Sequence, residues 1–95
     1  MPRDCESSAR PVASVVREFA ASMETKLRAN CHKRNWRTCN LGYLRARLSE
    51  ELAELDEALA DGDPYLVLGE AVDVANFAMF IADVAMQNRK GHEKG

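Results

Sequence analysis

Four carboxylates, in two pairs, carry the chemistry this chain offers. Glu70 and Asp73 sit in the middle of its most apolar run, LVLGEAVDVANFAMFIADVAM, from Leu66 to Met86. Glu51 and Glu54 repeat the same i, i+3 spacing earlier, within SEELAEL. At about 100° per residue, Glu70 and Asp73 fall within roughly 40° of the helical stripe defined by Leu66, Phe77 and Val84. An ionised carboxylate on a core-facing stripe is costly unless it is paired or bound to a metal. Two of them one turn apart also repel each other, so a cation is the simplest way to hold both. A set of hard oxygen ligands favours Mg²⁺ over zinc, with Mn²⁺ an acceptable substitute. The plainer reading of Glu50, Glu54 and Glu57 is a solvated acidic face. Glu70 and Asp73 argue against it, because they interrupt an apolar face at its centre.

The elements that must position these acids are helices. Pro11 suits a first helical turn, and Val12, Val15, Val16, Phe19, Met23 and Leu27 follow at three- and four-residue steps. That spacing predicts an amphipathic helix to about Ala29. Asn30 to Asn40 has no periodicity and holds the only Trp, so it reads as a loop, with Asn40 a helix N-cap. Leu41, Leu44, Leu48, Leu52, Leu55 and Leu59 form a leucine stripe with Glu51 at its border. The sequence DGDP, Asp61 to Pro64, ends that helix. Gly62 suits a left-handed C-terminal residue, while Asp63 and Pro64 suit the cap and first turn of the next helix. The third helix is predicted over Pro64 to about Asn88, with Gly69 marking close packing or a short break. The tight turn makes the last two helices antiparallel, and the two acid pairs come level. No strand pattern competes, so the fold class is all-α.

Helix three is apolar around most of its circumference. Phe77, Phe80, Ile81 and Val84 cover one side, while Val72, Met79 and Met86 lie nearly opposite. A helix hydrophobic all round must be buried on all sides. Three helices cannot do that alone, so an antiparallel helical bundle completed by oligomerisation is expected, as a dimer or a dimer of dimers.

At 95 residues the chain reads as a single domain, residues 1–95, with 1–9 and 89–95 as polar flexible tails. Hydrophobic content of 46% with 29% charged residues argues against wholesale disorder. A formal net charge of −2 gives no broad attraction to nucleic acid or to anionic membranes. Basic residues cluster locally instead, with Lys26, Arg28, Lys33, Arg34 and Arg37 ahead of the acidic half. A positive segment beside carboxylates suits a ligand that carries phosphates and a divalent cation; the alternative is a solvated loop. Cys5, Cys31 and Cys39 fit no zinc spacing, and Cys31, His32 and Cys39 lack a fourth ligand. Free thiols and an N-terminus without an apolar signal core point to a reduced, cytoplasmic protein. Val72 to Met86 contains Asp73, Asn76 and Asp83, and reads as too short and polar to span a bilayer.

EELAE (Glu50 to Glu54), fifteen residues from Leu55 to Gly69, and EAVD (Glu70 to Asp73) together resemble the ExxE…ExxD signature of MazG-like nucleoside triphosphate pyrophosphohydrolases. Upstream, KLRANCHKRNW (Lys26 to Trp36) is similar to that family's lysine-and-tryptophan segment, although Arg34 and Asn35 stand where a glycine is expected. Downstream the likeness continues through DVANFAMFIAD, so that it covers roughly Leu27 to Val84. The resemblance implies an oligomeric, Mg²⁺-dependent enzyme. It would convert a (d)NTP and water to (d)NMP and pyrophosphate, as house-cleaning of the nucleotide pool. Glu51, Glu54, Glu70 and Asp73 would hold the metal, and Glu51 or Glu54 would orient or deprotonate the attacking water. Lys33 and Arg37 would contact phosphates, and Asn76 the ligand or a ligating carboxylate. Trp36 would stack on the base; a single Trp capping a small core is the other reading of that residue.

Two readings compete with this one. A non-catalytic helical dimerisation module would use the apolar surface of helix three and pair the acids with Arg45, Arg47 or Lys26. A di-iron carboxylate bundle needs Glu-x-x-His pairs. The only histidines, His32 and His92, lie outside the predicted core helices.

Overall fold

The computed structural model describes residues 10–30 and 35–94, with side chains described through residue 89. Helix α1 spans Val12–Asn30, a single 3-10 turn covers Trp36–Thr38, α2 spans Leu41–Asp61 and α3 spans Pro64–Lys94. No strand occurs among the described residues, and the fold class is all-α. Helix α3, about 46 Å long at 1.5 Å per residue, sets the longest dimension of the molecule, 49 Å. Both other helices pack against it.

Local signals explain the boundaries. The Pro11 carbonyl accepts from the N–H groups of Ser14 and Val15 and closes the first turn of α1. Asn40 caps α2, its side chain accepting from Tyr43 N at 2.7 Å. Gly62 ends α2 at φ +87°, a left-handed conformation that side-chain-bearing residues avoid, and its N–H bonds back to Ala58 O at 2.9 Å. Asp63 Oδ1 then accepts from Tyr65 N at 2.9 Å and starts α3. Gly69 introduces no break; α3 is continuous through it. Residues 89–94, expected in a loose tail, continue α3 as helix to Lys94. Residues 1–9 lie outside the described residues.

The core is Leu44 from α2 with Phe77, Phe80 and Val84 from α3, the two rings meeting edge to face at 5.2 Å. Leu27, Leu48, Trp36, Met79 and Ile81 close around it. The seam of α2 differs from the leucine stripe. Leu44, Leu48, Glu51, Leu55 and Ala58 turn inward, while Leu52 and Leu59 are exposed. The reason is the repeat: a packed seam follows 3.5 residues per turn, and the leucines drift at 3.6. Glu51 therefore stands on the seam itself.

Helix α3 departs from the expected pattern at two places. Leu66 is half-exposed, so the core stripe begins near Asp73. Val72, expected on the second apolar side, is buried; a shallow groove between α1 and α3 runs past it, lined by Ala21, Thr25, Ala29 and Leu68. Part of the second apolar side is thus covered within one chain. Met86 is exposed, as are Tyr65 and Leu68. Over Pro64–Arg89, α3 is long and apolar enough by length and composition to cross a membrane, a longer stretch than the Val72 to Met86 run considered on sequence.

Candidate metal centre

All three helices send polar side chains to one place. Glu51 comes from the α2 seam, and Glu70, Asp73 and Asn76 come from successive turns of α3. Each of Glu51, Glu70 and Asp73 offers a carboxylate oxygen, and these oxygens lie within 4.8 Å of one another. A cavity of about 200 Å³ opens here, lined by Glu51, Asp73, Asn76, Lys26, Phe77 and Phe80. Its lining is part aromatic and part polar.

The acids are unequally served. Glu51, only 6% exposed, accepts from Arg47 Nη2 at 2.9 Å, and the Arg47 guanidinium lies 4.8 Å over the Phe77 ring. Asp73 is paired with Lys26, whose Nζ stands 3.0 Å from Oδ1 and 3.1 Å from Oδ2, and 3.3 Å from the Gly69 carbonyl. Neither Glu54 nor Glu70 forms an ion pair among the described residues. Glu70 Oε1 is buried without a hydrogen-bond partner. Asn76, 4% exposed, gives its Nδ2 to Met23 O at 3.5 Å and leaves Oδ1 buried and unpartnered. Buried polar atoms are nearly always satisfied, and here two orphan acceptors stand beside three converging carboxylates, a group that could hold a cation.

Electrostatics agree with the geometry. Burial pushes Glu70 above the usual carboxylate range, and the charges of Glu54 and Asp73 push it further. Burial also raises Glu51, with Glu54 next in importance, while the Arg47 hydrogen bond pulls the other way. Glu54 is exposed and lies outside the 4.8 Å group, yet its charge acts on both neighbours. Lys26 serves Asp73, and Arg47 is shared between Glu51 and the exposed Glu50, so the carboxylates outnumber the bases beside them. An all-oxygen donor set of this kind is of the type that hard divalent cations prefer.

The remaining residues expected at a site fall elsewhere. Trp36 stacks on Phe80, with ring centroids 4.6 Å apart and planes 13° from parallel, and its Nε1 donates to Asp83 Oδ2 at 3.0 Å. The Arg37 guanidinium lies 4.2 Å from the indole centroid. Neither lines the carboxylate cavity; both border a separate hollow with Met79, Asp83 and Gln87. Lys33 lies outside the described residues, as do Cys31 and His32 of the partial zinc set. Cys39 is a free thiol.

Lys26, read from sequence as part of the basic segment and as a possible ion-pair partner of the acids, lines the cavity itself. A signal was present: Met23, Lys26, Leu27 and Asn30 follow the i, i+3, i+4, i+7 pattern of a packed helix face, and a lysine there needs an acid opposite. Comparison with protein-family models, with curated proteins and with solved structures gave no match.

Proposed function

We propose that this protein is a Mg²⁺-dependent nucleoside triphosphate pyrophosphohydrolase that converts a (d)NTP and water to (d)NMP and pyrophosphate. The observation that carries the reading is the convergence of the Glu51, Glu70 and Asp73 carboxylates beside a cavity lined by Asn76, whose Oδ1 is buried and unpartnered. The ExxE…ExxD resemblance supplies the reaction. Glu51, Glu70 and Asp73 would hold the metal, with Glu54 at the exposed edge completing the set. When bound, Mg²⁺ neutralises phosphate charge and lowers the pKa of water. Glu54, the more accessible of the α2 pair, orients the attacking water and takes its proton. Lys33 meets a phosphate, and Asn76 holds the ligand or a ligating carboxylate; Arg37, stacked on the Trp36 indole beside a separate hollow, takes no part at the carboxylates. Trp36 braces the loop against Phe80, and its contacts favour that role over base stacking.

The same reading takes the protein to be a cytoplasmic house-cleaning enzyme that binds neither nucleic acid nor membrane. An antiparallel helical bundle is completed by a second copy, as a dimer or a dimer of dimers. Exposed Leu52, Leu59, Leu66 and Met86 support that assembly, since together they leave apolar surface at the solvent.

One observation favours the second reading, a non-catalytic helical module. Lys26 and Arg47 already pair with Asp73 and Glu51, as interhelical and intrahelical partners would. A pyrophosphate-release assay over canonical and modified (d)NTPs separates the two, because the module releases none.

A further inference from the structure

Lys26 occupies the place a cation would take beside Asp73. Its ammonium contacts both Asp73 oxygens and the Gly69 carbonyl, all oxygen acceptors, and it lines the cavity that Glu51 and Asn76 share. The side chain remains 40% exposed and pairs with no second acid among the described residues, so it is free to swing outward on its four-carbon stem. Resting on the metal-site reading above, we propose that Lys26 is a displaceable counter-ion. It neutralises Asp73 in the metal-free protein, yields Asp73 to the divalent cation, and then meets a phosphate of the anionic ligand beside that cation. One lysine thus serves the empty and the loaded site in turn.

The physics sets opposite signs for its two roles. As a competitor for Asp73, Lys26 weakens cation binding by about the strength of a half-exposed ion pair, on the order of fivefold in Kd. As a phosphate ligand it strengthens anion binding by a charge-assisted contact, on the order of tenfold. A side chain that merely holds α1 against α3 moves both affinities the same way, or neither.

The test is Mn²⁺ binding to the full chain without nucleotide, followed by inorganic pyrophosphate binding to the Mn²⁺-loaded protein. Lys26→Met should bind Mn²⁺ about fivefold more tightly and pyrophosphate about tenfold more weakly, while Lys26→Arg, which keeps the charge, should stay near wild type in both. Should Lys26→Met fail to fold, Lys26→Gln carries the same comparison. Any other combination of signs overturns the proposal, and so does a protein in which neither wild type nor variant binds Mn²⁺, which would also remove the metal site. Neither affinity needs turnover. A protein that shows the opposite shifts but cleaves no nucleotide therefore sinks the hydrolase reading and leaves this one standing.

Discussion

The Trp36 indole lies nearly parallel to the Phe80 ring at 4.6 Å, and its Nε1–H is given to Asp83. These contacts pin the 3-10 turn of Trp36–Thr38 onto α3. Phe80 borders both environments, so the stack is a wall of the site without belonging to its chemistry. Trp36→Ala should therefore lower stability by about 2 kcal/mol, less than for a fully buried aromatic, or roughly 8–16 °C in Tm. Trp36→Phe should recover most of that. An unchanged Tm with a raised KM would instead make the indole a base platform.

Asp73 separates stability from metal binding. Its ion pair with Lys26 is open to solvent on the lysine side, the two side chains being 40% and 26% exposed, so Asp73→Asn should change the metal-free protein by less than about 1 kcal/mol. Wild-type protein at a hundredfold excess of Mg²⁺ over Kd should gain about 2.7 kcal/mol, and the variant should gain none. Thermal melts with and without Mg²⁺ read both values; equal Mg²⁺ shifts in the two proteins would remove Asp73 from the site.

Burial and like charge hold Glu70 and Glu51 above their ordinary value of 4.5, so the folded state keeps protons that the unfolded state releases. The stability this gives is complete below the ordinary value and is lost as pH rises through the raised ones. Without metal, Tm should fall from mildly acidic to neutral pH. Glu70→Gln, which cannot ionise, should flatten that fall and raise the metal-free Tm at pH 7. Metal binding runs the other way, strengthening as pH rises, because the ligands must be ionised. A metal-free Tm that climbs with pH over this range would contradict the arrangement.

How much of this was legible in the sequence depends on how local each signal is. The Asn40 cap, the Gly62 and Asp63 turn and the order of three helices follow from neighbours in the chain, and the structure has them there. The seam on α2 was not legible residue by residue. Leucine marks a face, but Glu51 and Ala58 hold seam positions because α3 imposes a 3.5-residue repeat. The Lys26 contact with Asp73 joins residues 47 apart, as does the Trp36 bond to Asp83, and no periodicity encodes such pairs. Val72 was placed on an uncovered side because the reach of α1 along α3 is a tertiary fact. The acids were legible because a carboxylate in an apolar stripe is anomalous wherever the helix packs.

Assembly should depend on the outward leucines of α2. Leu52 and Leu59 are 43% and 56% exposed and lie one heptad apart on the same face. Leu59→Glu should shift sedimentation toward the 10.6 kDa monomer at micromolar concentration. Met79 is a poorer probe, since it packs on the core and its loss would mix folding with association. A wild-type chain that sediments as a stable folded monomer would refute the oligomer.

The most direct test of the central claim is phosphorus NMR of the products formed from a panel of (d)NTPs with purified protein and Mg²⁺. Cleavage between the α- and β-phosphates predicts nucleoside monophosphate and pyrophosphate in equal amounts from at least one nucleotide, with turnover lost in Asp73→Asn and Glu54→Gln. Orthophosphate and a diphosphate, or no product from any nucleotide with either Mg²⁺ or Mn²⁺, would contradict it.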